Sequence, residues 1–260
     1  MVDVLYHVQE TSSYEHPKLY DMVGRLCQRT GIDMPRIMIA NIPIPNAFAY
    51  GSPIAGTRVA VTTGLLNTLE TEEVEAVLGH ELGHIKHRDV QIMMFASVLP
   101  AIVYYLGFSL FRTTNYRDRN RSSGAALGSV SMIIYFILTL LSLRLSRLRE
   151  YYADRHSVNI VEDGARKLSE GLAKIVTYTG KMRLQGVRVN QYSNFKALFI
   201  ANPETATRDE MELRGMHQII SDQQLVQEIR SRKISMFDST LEAFSTHPNI
   251  VKRLKALQEL

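Results

Sequence analysis

The sequence predicts a mainly α-helical chain with a small mixed β-sheet and a two-helix membrane hairpin. Three observations predict it. Apolar residues at helical spacing surround Gly79-His80-Glu81-Leu82-Gly83-His84, short β-branched and aromatic segments divided by Pro and Gly precede them, and two uncharged apolar runs follow. Those runs, Ile92 to Phe111 and Gly124 to Leu143, are 20 residues each. At 1.5 Å per residue each extends about 30 Å, the thickness of a bilayer core. A mean hydropathy of -0.08 hides them by averaging.

The residue count outside the hairpin, about 200, suits one globular domain. The expected organisation is therefore a single domain over residues 1–260, interrupted at about 91–143 by helices 92–111 and 124–143. One cysteine, Cys27, excludes an intramolecular disulfide and a multi-cysteine metal site. The net charge of +4 comes without any nucleic-acid motif, so it favours an anionic membrane surface over a polynucleotide.

In chain order, the first 16 residues show neither a signal peptide nor a spanning run. Pro17 then opens a helix, Lys18 to Thr30, with Leu19, Met22, Val23 and Leu26 on one side and Gly31 as its stop. Arg36 to Ala40, Ala47 to Tyr50 and Arg58 to Thr63 are strands punctuated by Pro43, Pro45, Gly51, Pro53 and Gly56. Leu65 to Leu69 is a helical turn, and Thr71-Glu72-Glu73 begins a longer helix to about His87, with Thr71 as its cap. Pro100 falls inside the first apolar run, where a membrane helix tolerates it, and Arg112 to Ser123 is a polar loop. Gly124 and Gly128 have the spacing of a helix-packing face. Ala165 to Tyr178 is an amphipathic helix, Met182 to Phe195 an irregular loop, and Asn249 to Leu260 a final helix after the turn at Ser245-Thr246-His247-Pro248.

His80 and His84, four residues apart on a helix, stand about 40° apart around its axis, so both imidazoles can reach one cation. Glu81, about 100° from His80, flanks that cation without having to bind it, as a general base for a metal-bound water must. A chain of this length shows such a pattern by chance about once in a hundred, so the helical setting matters. Gly83 costs a helix about 1 kcal/mol against alanine, and its use is to let another element approach closely.

A catalytic zinc needs a third protein ligand and an open position. Glu150 is the candidate, with Asp154 one turn further on the same face, placed to accept from a metal-bound histidine. On spacing alone, pairing of Glu150 and Asp154 with Arg147, Arg149 or Arg155 on a solvated helix fits as well. His247 before Pro248 equally fits an ordinary turn histidine.

The chain resembles the HtpX-like membrane zinc metallopeptidases, gluzincin-type relatives of the CAAX prenyl proteases. The resemblance is carried by Pro45 to Gly51, Val61 to Leu66, Gly79 to Asp89, Arg149 to Asp154, Leu198 to Pro203, and Ser245 to Pro248 with Arg253 beyond. It implies an α+β, zincin-like metallopeptidase core. It further implies one Zn²⁺ per chain on His80, His84 and Glu150, with Glu81 as catalytic base and Asp154 as partner of a bound histidine. His247 and Arg253 are implied near the substrate carbonyl, where they would stabilise the oxyanion. The resemblance also implies that Asn46 to Gly51 form an edge strand against which an extended substrate would lie, through Asn46, Ala47, Phe48 and Ala49; an ordinary edge strand is the alternative. Family members usually carry an apolar anchoring region before the part that begins near Tyr14, and this sequence has almost nothing there.

The function expected is zinc-dependent hydrolysis of unfolded or membrane proteins. A processing peptidase with one dedicated substrate, for example a prenylated one, is the alternative, and a catalytically silent scaffold would be marked by a broken motif. Six cations at the catalytic side (Lys86, Arg88, Arg144, Arg147, Arg149, Arg155) face four in the inter-run loop (Arg112, Arg117, Arg119, Arg121), favouring a cytoplasmic catalytic side in the cell (inner) membrane. If both connectors are helical, His84 and Glu150 stand about 12 Å and 10 Å from the membrane boundary.

Overall fold

A computed structural model describes residues 8–52, 56–114, 121–185 and 221–260. The chain runs β1 (Val8–Glu10), α1 (Pro17–Thr30), β2 (Arg36–Ala40), β3 (Ala47–Ser52), β4 (Gly56–Thr62), α2 (Thr63–Thr68) and α3 (Thr71–Lys86). It continues through α4 (Asp89–Thr114), α5 (Arg121–Ile160), α6 (Gly164–Leu184), α7 (Asp222–Ser231), α8 (Met236–Ala243) and α9 (Ile250–Gln258). The fold is thus mainly helical with one small mixed sheet, as the sequence predicts. Phe199 to Pro203, most of the Met182–Phe195 segment and half of the Arg112–Ser123 segment lie outside the described residues; the ends of the latter belong to α4 and α5 rather than to a loop.

The sheet order is β1-β2-β4-β3. β2 and β4 are parallel, while β1 and β3 pair antiparallel with their neighbours, so among the described residues β3 is an edge strand. β1 was not expected, because Val8-Gln9-Glu10 is too short and polar to read as a strand; only its pairing with Met38 to Ala40 makes it one. Val59, Val61 and Ile37 from the sheet pack with Leu19, Met22 and Leu26 of α1 and with Val74, Val77, Leu78 and Leu82 of α3. This core fixes α3 beneath β3.

The start of α3 differs by one residue from expectation. Glu70, not Thr71, is the cap, in a reciprocal pair in which its carboxylate accepts the Glu73 amide and Glu73 accepts the Glu70 amide. At the other end His87 closes the helix, and Arg88 takes a left-handed backbone (φ 55°) that turns the chain into α4. The connector from His84 to the membrane run is therefore broken, so the distance expected for a continuous helix does not apply to that arm. The other arm is continuous. α5 is 40 residues of unbroken helix, carrying Glu150 and Asp154 on the extension of the second apolar run.

α4 and α5 form an antiparallel hairpin whose apolar side chains are largely exposed, among them Phe95, Leu99, Ile102, Leu106, Ile133, Phe136 and Leu141. Both helices are long and apolar enough to cross a membrane. They touch closely where Gly107 meets Ser131 and Gly128 meets the Phe111 ring; a Cβ would stand 2.6 Å and 2.7 Å from those atoms. Gly128 thus serves the close packing its spacing suggested. α6 runs to Leu184, past the Tyr178 expected, because Lys181 and Arg183 continue its last turns.

Candidate metal centre

The approach of α5 to α3 builds the site. Gly79 and Gly83 present a surface without side chains, and Ala153, His156 and Ser157 of α5 fill it: a Cβ on Gly83 would lie 3.1 Å from Ala153 Cα, and one on Gly79 3.0 Å from Ser157 Oγ. Ser157 Oγ also donates to the Ala76 carbonyl at 2.6 Å. The close approach expected of Gly83 is supplied by α5.

This contact brings Glu150 over the two histidines. One ligand atom from each of His80, His84 and Glu150 falls within 4.8 Å of the others. Glu150 oxygens lie 3.7 Å from His80 Nε2 and 3.7 Å from His84 Nε2. The opposite ring nitrogens are occupied by carboxylates: His80 Nδ1 meets Asp154 Oδ1 at 2.8 Å, and His84 Nδ1 meets Asp89 Oδ2 at 2.7 Å. An ionised carboxylate only accepts, so each imidazole carries its proton on Nδ1 and turns an Nε2 lone pair inward. Those two Nε2 atoms stand 3.1 Å apart. Two lone pairs facing each other at that distance, beside a buried Glu150 Oε2 that accepts no hydrogen bond, are a donor set that fits a divalent cation.

Glu81 is buried beside them, and the Ala49 amide of β3 donates to its Oε2 at 2.8 Å. Burial, reinforced by the Glu150 charge, raises the Glu81 carboxyl above its ordinary range against the opposing pull of His84, His80 and the Ala49 amide. A cleft of about 220 Å³ opens here, lined by Phe48, Ala49, Glu81, Glu150, Thr246 and His247 among others.

The remaining expected residues fall in different places. His247 lies at the cleft wall with Nδ1 3.4 Å from Glu150 Oε1. Arg253 does not line the cleft. It is 1% exposed and binds Asp154 through Nε at 2.8 Å and Nη2 at 2.6 Å, with Nη1 3.4 Å from Glu150. Its guanidinium is thus held by the Asp154 carboxylate beside His80 and Glu150, and the contacts described place it next to those residues rather than at the cleft wall where a substrate carbonyl is expected. Asn46 is buried, with its amide and carbonyl bonded to Thr62, so its main chain is turned away from the outward side of β3. Alternation along the strand turns the main-chain groups of Ala47 and Ala49 away from β4, where Glu81 takes the Ala49 amide.

The sequence assigns no role to Asp89, whose partner is His84, and offers Arg149 only as a surface partner of Glu150 or Asp154, whereas it pairs with Asp89 and donates to the His87 carbonyl at 2.8 Å. The signal for Asp89 was weak, an acid five residues after His84 across a helix break. The arginine alternative for Glu150 and Asp154 is decided by the same geometry. Arg149 serves Asp89, and Arg147 donates to carbonyls at the end of α8 and just after it.

A two-histidine, one-glutamate set on crossing helices, beside a free glutamate and at the base of an apolar hairpin, defines a membrane metallopeptidase. The model of peptidase family M48 matches residues 13–260, and the chain belongs to that family. It is 36% identical over 265 residues to a Thermoplasma acidophilum protein described as a protease HtpX homolog, covering 100% of this chain and 79% of that one. A Saccharolobus solfataricus protease HtpX homolog 2 is 36% identical over 253 residues, covering 93% of this chain and 73% of that one. The crystal structure of Ste24p from S. mikatae shares the fold with a TM-score of 0.57 at 15% identity; 98% of this chain matches 53% of that chain, about half its length.

Proposed function

We propose that the chain is a zinc endopeptidase that hydrolyses unfolded or membrane proteins from the cytoplasmic face of the cell membrane. The observation that carries this reading is Glu81, held by the Ala49 amide beside the converging His80, His84 and Glu150 yet not itself one of the three. Zinc, when bound, lowers the pKa of a coordinated water towards about 7 and polarises a peptide carbonyl. Glu81 takes the proton of the attacking water and passes it to the leaving amine as the C–N bond breaks.

His247 Nε2 is buried at the cleft and has no hydrogen-bond partner among the described residues, so it is available to donate to the oxyanion that develops on the carbonyl. Arg253 acts behind the ligands, orienting Asp154 and screening Glu150. An extended substrate would add to the outward side of β3 through the main chain of Ala47 and the carbonyl of Ala49, the Ala49 amide being held by Glu81, next to the cleft that Phe48 and Ala49 border. Main-chain pairing of this kind reads few side chains, which supports a broad substrate range.

The test is Glu81→Gln in the full chain, in lipid, against an unfolded test protein. Cleavage should fall about 10²–10⁴-fold with bound zinc unchanged. Turnover at the wild-type rate would refute the role given to Glu81.

A further inference from the structure

Helix α8 is inside out. In a helix on the surface of a soluble protein the apolar stripe turns inward and the polar face meets water. Here Met236, Phe237, Leu241 and Phe244 fall within about 140° of arc at 100° per residue, and they are 87%, 63%, 46% and 58% exposed. The opposite face is tied down by polar contacts. Glu242 accepts the Asn249 amide at 3.2 Å and pairs with Lys252, both at the start of α9.

The helix also abuts the hairpin. Phe244 and Phe136 have ring centroids 6.5 Å apart, and Phe136 belongs to the second apolar run, so the exposed face of α8 continues the apolar surface of α5. Arg147, just beyond that run, donates through Nη1 to the carbonyls of Glu242 (2.9 Å), Ala243 (3.2 Å) and Ser245 (2.8 Å). Carbonyls at a helix end otherwise rely on water, and supplying them from the protein lets that end sit where water is scarce.

We propose that α8 is an in-plane membrane helix that seats Met236, Phe237, Leu241 and Phe244 in the bilayer beside the hairpin. The inference rests on the membrane reading of α4 and α5. Interfacial helices with such a face insert about 5–10 Å below the headgroups. Because α8 leads directly into Thr246 and His247, lipid then supports one wall of the cleft.

The chain contains no tryptophan, so single-tryptophan variants report cleanly. Phe237→Trp, with Leu241→Trp as a second reporter should the first fail to fold, is placed in phosphatidylcholine–phosphatidylglycerol vesicles with and without brominated acyl chains. Ile133→Trp on α5 serves as the lipid control and Tyr14→Trp, at a 95% exposed position, as the aqueous control. The expected result is that brominated lipid quenches the α8 reporter as it does the Ile133→Trp indole, while aqueous iodide quenches only the Tyr14→Trp indole. Quenching of α8 by iodide alone would place the face in water and overturn the proposal. Shielding from both quenchers would mean that protein covers it, from residues 186–220 or a second copy, and would equally overturn it. An Ile133→Trp indole untouched by brominated lipid would instead refute the membrane reading itself.

Discussion

Asp89 Oδ2 lies 2.7 Å from His84 Nδ1, while the other oxygen of the same carboxylate, Oδ1, is paired with Arg149. This contact joins the first residue of α4 to the metal helix across the left-handed break at Arg88. A single carboxylate thus links the first residue of the membrane hairpin to the His84 imidazole. A carboxylate behind a ligating imidazole fixes its tautomer and raises its basicity, and losing one commonly costs about 10–100-fold in metal affinity. Asp89→Ala should weaken zinc by that factor in a chelator competition, and Asp89→Asn by less, since an amide oxygen still accepts from Nδ1. Wild-type affinity in Asp89→Ala would show that His84 is oriented by something else.

Gly83 offers a steric test of the same site. Alanine there gains about 1 kcal/mol of helix propensity, whereas crowding the Ala153 backbone costs about 1–3 kcal/mol. The clash lies between Cβ and main chain, with Ala153 Cα at 3.1 Å, so it is not relieved by rotating a side chain. Gly83→Ala should be near neutral to about 2 kcal/mol destabilised, and Gly83→Val clearly worse in thermal unfolding. Because Ala153 lies between Glu150 and Asp154, both variants should also bind zinc more weakly. Full zinc affinity in a folded Gly83→Val protein would contradict the packing described.

Lys174 joins three helices. Its Nζ lies 2.8 Å from Glu73 on α3 and 2.9 Å from Asp222 on α7. Glu73 is 1% exposed, and burial raises its carboxyl despite the opposing ammonium. Lys174→Met strands that charge and should cost about 3 kcal/mol at neutral pH. A buried acid with a raised pKa penalises the fold above that pKa, and the penalty disappears as pH falls below it towards the unfolded value. The stability difference from wild type should therefore shrink on acidification. A difference independent of pH would assign the loss to packing.

Cys27 is buried in the α1 core, and burial pushes its thiol up to about 11. The thiolate is the reactive form, so alkylation at pH 8 should proceed only through unfolding and should accelerate in denaturant. Rapid labelling of the native protein at pH 8 would show that α1 opens locally.

By itself the sequence determined the features that depend on local spacing. His80 and His84 share a face because four residues nearly complete a helical turn, and two 20-residue uncharged runs are of spanning length whatever surrounds them. The β-branched segments at Ile37, Val59 and Val61 declared strands on the same local grounds. Short or polar segments did not: β1 exists only because β2 offers it an edge, and α8 carries too few residues for its reversed polarity to show before its neighbours are known. Spacing also left Glu150 and Asp154 divided between metal chemistry and surface arginines. Tertiary structure chose, because Gly79 and Gly83 admit α5 to within contact of α3 and so carry Glu150 to the histidines. The same docking sets Asp154 between His80 and a buried Arg253, 99 residues further along the chain from Asp154. Interactions across such separations leave no periodic trace in a sequence; they arise when packing forces buried charges to find one another, since a charge without a partner there would cost several kcal/mol, about what a whole domain has to spare.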